Sequence, residues 1–89
     1  MNETNAEGNN ISMVSIIVED RALAGRVNDL LSLYAEYIVG RMGIPYKNKN
    51  ISVICVALDA PADTVSALSG RLGMFDGVSA KTVVSKKKY

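Results

Sequence analysis

The chain has 89 residues, 48% of them hydrophobic and 21% charged, with a formal net charge of +1. That is enough for one domain with a modest core, and no apolar run approaches the roughly 20 residues that a bilayer-spanning helix needs. There is no histidine and only one cysteine, Cys55. Histidine-dependent catalysis, the usual nitrogen and sulfur metal sites and an internal disulfide are therefore excluded.

Residues 1–10 are polar, rich in Asn and without apolar periodicity, which reads as a disordered leader rather than a signal peptide and points to a cytoplasmic location. Two acidic residues, Glu3 and Glu7, sit in this leader. Three lysines, Lys86 to Lys88, gather at the other end, and the body between them, residues 11–85, is neutral. A broad basic face for nucleic acid is absent, and residues 86–89 read as a solvated basic tail.

Ile11 to Val18 is a strand rich in β-branched residues, with Val14, Ile16 and Val18 on one face and Ile11, Met13 and Ile17 on the other. Asp20 is placed to cap the helix that follows, predicted over about residues 21–34. Leu23, Val27, Leu30, Leu31 and Tyr34 form its single apolar stripe. The next segment, Tyr37 to Tyr46, mixes strand formers with Gly40, Gly43, Arg41 and Pro45. A strand is expected over residues 36–44, weakened and bulged by its glycines and ended by Pro45.

Ile51 to Leu58 repeats the character of the first strand. Ile54, Val56 and Leu58 occupy one face, and Ile51, Val53, Cys55 and Ala57 the other, with Cys55 read as a small buried hydrophobe. A second helix is expected from Asp59 or Ala60, with Pro61 in its first turn, Val65, Leu68 and Leu72 inward and Gly73 at its end. Gly77 to Val84 completes the set as a fourth strand.

The order β-α-β-β-α-β predicts an α+β, ferredoxin-like sandwich: a four-stranded antiparallel sheet with two helices on one face, spanning residues 11–85. Two helices cover only one face of such a sheet. The apolar residues on the other face of the central strands would form a larger patch than monomers usually tolerate, so a homo-oligomer is expected.

Catalytic constellations are missing. Asp20 and Asp59 both follow strands, and helix capping accounts for them. The Glu19-Asp20-Arg21 turn is unsuited to cradling a phosphate, and no aromatic residue lies on the two central strands where an RNA-recognition domain would stack bases. Gly40-Arg41-Met42-Gly43 is the remaining candidate. Either Arg41 forks onto a carboxylate of a ligand or neighbouring subunit, or the glycines shape a bulge at an intersubunit edge with Arg41 as an ion-pair partner.

Ile16 to Arg21, Val27-Asn28, Ile38-Val39-Gly40-Arg41-Met42-Gly43-Ile44-Pro45-Tyr46, Leu68 to Gly73 and Gly77 to Ser79 together resemble the small proteins called iron-only hydrogenase system regulators, over roughly residues 12–85. The resemblance implies an ACT-like domain, similar to the ligand-sensing half of nickel-responsive repressors, that forms dimers or tetramers with a regulatory role. By analogy with ACT-like domains, Asp20, Arg21 and Asn28 would line a small-molecule site with Arg41 and Met42 from a partner subunit, beside Gly40 and Gly43. The relatives' DNA-binding segment and nickel-binding histidines have no counterpart here.

The expectation is a non-enzymatic regulator without a cofactor, which binds a small effector or a protein partner. The alternatives are a scaffolding oligomer without a ligand and, last, a DNA-binding regulator acting through its lysine tail.

Overall fold

In a computed structural model, residues 8–89 are described. The chain runs β1 (Asn10–Val18), α1 (Ala24–Ser32), β2 (Ile38–Tyr46), β3 (Ile51–Asp59), α2 (Ala62–Gly73) and β4 (Val78–Lys88). The strands form one antiparallel sheet in the order β2-β3-β1-β4, with both helices on one face. This is the ferredoxin-like, ACT-like arrangement expected from the element order.

Strand alternation decides which residues meet the helices. Val14, Ile16 and Val18 of β1 and Ile54, Val56 and Leu58 of β3 are buried beneath them. From above, α1 contributes Val27, Leu30 and Leu31, and α2 contributes Val65, Leu68 and Leu72. These side chains, with Tyr34 and Ala60, make one continuous core.

Several boundaries differ from the sequence reading. The helix expected over residues 21–34 is a 3-10 turn, Arg21–Leu23, followed by the shorter α1. The Asp20 carbonyl accepts from Leu23 N–H at 2.8 Å, closing a three-residue turn, while the Asp20 side chain caps it by accepting from Ala22 N–H at 3.0 Å. Residues 35–37 form another 3-10 turn, so β2 begins at Ile38 rather than at Glu36.

Pro45 does not end β2. It pairs with Ser52 inside the ladder, which is possible because β2 is an edge strand and the missing N–H faces away from β3. Asp59 does not cap α2; it ends β3, its carboxylate accepts from Asn9 Nδ2 at 3.0 Å, and Pro61 precedes the helix as its cap residue.

The leader expected over residues 1–10 lies largely outside the described residues, and Asn10 already belongs to β1. The basic tail expected over residues 86–89 is mostly strand, because β4 continues to Lys88. Asn10 pairs with Lys88 across an irregularity in the ladder, and the Ser85 hydroxyl bridges that gap. It accepts from Ile11 N–H at 2.9 Å and donates to the Lys87 carbonyl at 2.7 Å.

Gly77 enters β4 with φ +85°, a left-handed conformation that side chains resist. Gly77→Ala is expected to destabilise the fold by about 1–2 kcal/mol. The measurement is the urea midpoint, and an unchanged midpoint would show that the turn relaxes freely.

Candidate functional site

The segment singled out in the sequence is β2, and its side chains divide between the two faces of the sheet. The register shifts between Ile38 and Gly40, so Val39 is the extra residue of a bulge next to the first of the two glycines. Beyond the bulge, Arg41, Gly43 and Pro45 lie opposite Val56, Ile54 and Ser52 on the helix side. Gly40, Met42, Ile44 and Tyr46 lie opposite Ala57, Cys55, Val53 and Ile51 on the open side.

On the helix side, a cleft of about 310 Å³ opens between the start of α1 and the β2 edge. The guanidinium of Arg41 reaches across it and donates from Nη2 to Asn28 Oδ1 on α1 at 2.7 Å. Arg21, in the turn before α1, supplies a second guanidinium to the lining, and Gly43 and Ser52 form part of the floor.

Among the described residues no carboxylate lines this cleft. Arg41 is held by a neutral amide, so its charge is left for an incoming group, and a guanidinium fork matches a carboxylate or phosphate. Ser52, 8% exposed, is the polar exception on the inward face of β3. Its position among Ile54, Val56 and Leu58 was the available signal for a residue that sequence reasoning missed.

The structure gathers Arg21, Asn28, Arg41 and Gly43 from the seven expected site residues and separates the other three. The Asp20 carboxylate is engaged in capping. Gly40 and Met42 point to the open face, where they border a shallow hollow with Met13, Cys55 and Ala57. Arg41 meets Asn28 of its own chain, so that contact needs no partner subunit.

The open face is a block of largely apolar rungs. Ile17, Val53 and Ile44 lie side by side across β1, β3 and β2; Ser15, Cys55 and Met42 form the next rung; Met13, Ala57 and Gly40 the third. Met13, Ile17, Met42, Ile44 and Val53 are 36–64% exposed in the single chain. Cys55, expected to be buried, is only half-buried, since alternation turns it away from the helices. A Cβ on Gly40 would meet nothing within 4 Å among the described residues, so their packing does not require glycine there.

Among the described residues no helix is long and apolar enough to cross a membrane. No three Cys, Asp or Glu side chains gather among them as a metal site would require.

The fold and the edge cleft define a small ferredoxin-like module with a cationic pocket beside its outer strand. Residues 10–82 match the TM1266-like family, described as "Iron-only hydrogenase system regulator, putative", and the chain belongs to that family. It is similar to the solved structure of the uncharacterized protein TM1266 from Thermotoga maritima. The two share 43% sequence identity with a TM-score of 0.80, over 85% of this chain and 96% of that one. No curated protein matches it.

Proposed function

We propose that the chain is a non-enzymatic regulatory module of an iron-only hydrogenase system, which works as a homo-oligomer and reads a small acidic effector in the Arg21–Arg41 cleft. The regulatory assignment rests on family membership. The observation that carries the effector site is the Arg41–Asn28 bond in a cleft lined by two arginines and, among the described residues, no acidic side chain. Asn28 pre-orients the Arg41 fork, and the Ser52 hydroxyl offers a further donor to a bound carboxylate.

The oligomer is supported by the open face. Its three-strand apolar block is too continuous to be left in water, and glycine at 40 leaves a hollow that a facing side chain can enter. The same face favours a second reading, a scaffold that assembles without any small ligand.

Native mass spectrometry of the protein purified gently from cells separates the two. An oligomer carrying a stoichiometric extra mass supports the effector site; a bare oligomer favours the scaffold. Arg41→Ala is expected to keep the oligomer and lose the extra mass, weakening the effector by about tenfold to a hundredfold, the worth of one hydrogen bond to a charged group. Retention of the extra mass by Arg41→Ala would place the effector elsewhere.

A further inference from the structure

The end of the sheet remote from the arginine cleft holds another hollow on the helix side, of about 260 Å³, beneath the first turns of α2. Its composition breaks the pattern of the core. At the Val18 end the sheet presents valine and isoleucine to the helices; here it presents Ser12, 3% exposed, and Thr82, which pairs with the fully buried Val14. From above, α2 adds Ser66 and Ser69 to the lining, while Val65 and Val84 give it apolar walls.

Thr82 supplies the sharpest observation. Its Oγ1 is buried and has no hydrogen-bond partner among the described residues. An orphaned buried hydroxyl costs about 1–3 kcal/mol, and a position selected for packing alone would carry valine, a near-isostere that avoids the cost.

Among the described residues no ionisable side chain lines the hollow, so none of them recognises a charge there. Hydroxyls both donate and accept, which suits a ligand edge that places a donor beside an acceptor. The valine walls suit a flat ring. Together these are the features of a neutral amide on a planar skeleton.

We propose that this hollow is a second binding site, independent of the arginine cleft, for a small uncharged planar amide of the class of nicotinamide or a pyrimidine base. Thr82 and Ser12 meet the amide edge from the sheet, and Ser66 and Ser69 meet it from α2. Its occupation satisfies the hydroxyl that the described residues leave unpaired.

The test uses the full chain and follows the methyl NMR signals of Val65 and Val84 during titration with nicotinamide and thymine. Nicotinate and orotate serve as their charged counterparts. Saturable shifts with at least one neutral probe, and none with the acids, are the expected result.

Thr82→Val is expected to weaken that binding by about tenfold or more, the loss of one buried hydrogen bond, while raising the melting temperature of the unliganded protein. Ser69→Met, which fills the hollow from the helix, is expected to abolish binding with the fold intact, and Arg41→Ala to leave it unchanged. No shift with either neutral probe, or equal binding of the acids, would overturn the proposal. So would a lower melting temperature for Thr82→Val, which would make the hydroxyl a structural group satisfied by trapped water.

Discussion

Val53→Glu is expected to convert an assembled protein into a monomer. Val53 is the middle residue of the rung it shares with Ile17 and Ile44, on the sheet face that no helix covers. A carboxylate at the centre of a packed face cannot reach solvent on its short stem, and burying it unpaired costs several kcal/mol. That is comparable to the whole advantage of a modest interface.

The position is exposed in the single chain and takes no part in the core, so the monomer's own stability should change by no more than about 0.5 kcal/mol. Sedimentation at micromolar concentration reads the outcome. A wild-type chain that already sediments as a monomer, or a variant that assembles as before, would remove the open face as an interface.

Leu31→Ala is expected to lose about 2–5 kcal/mol of folding stability, a large part of the roughly 5–15 kcal/mol typical of a domain. Leu31 is fully buried, and α1 is only nine residues long. A helix so short is marginal in water and is held by the side chains it buries, here Val27, Leu30 and Leu31. Asn28 rides on the same helix, so the substitution should also loosen its bond to Arg41. The urea midpoint measures the first effect. Comparison with Arg41→Ala separates the two roles, since Arg41→Ala should weaken effector binding while leaving the midpoint nearly unchanged.

The order of elements and the buried faces were legible because they depend on local periodicity. Val14, Ile16 and Val18, the stripe along α1, and Val65, Leu68 and Leu72 all fall where alternation or helical spacing puts them. Pro45 misled because its tolerance depends on β2 being an edge strand, a property of the sheet rather than of the segment. The end of β4 misled for a similar reason: its extension to Lys88 needs residues at the other end of the chain as partners.

The geometry of the candidate cleft was half legible. Arg41 and Asn28 were both singled out, yet the residue spacing alone does not place them 2.7 Å apart in one chain. The separation of Met42 and Gly40 from Arg41 follows from strand parity, but that parity holds only beyond the bulge at Val39. Thr82 carried no signal in the sequence, and only the packing reveals that its hydroxyl has no partner among the described residues.

The two outer strands bear on what kind of assembly this sheet permits. β2 has an extra residue at Val39 that interrupts its ladder and, at Pro45, a position with no N–H to offer. β4 ends in three consecutive lysines. Both features oppose the docking of another strand alongside, the step by which sheets propagate into fibres. Growth along the hydrogen-bonding direction is thus blocked at both margins, and stacking of apolar faces, which consumes its own surface, is the route left open. Assemblies of this chain should therefore reach a finite, closed stoichiometry and stay soluble at concentrations where an unguarded sheet would polymerise.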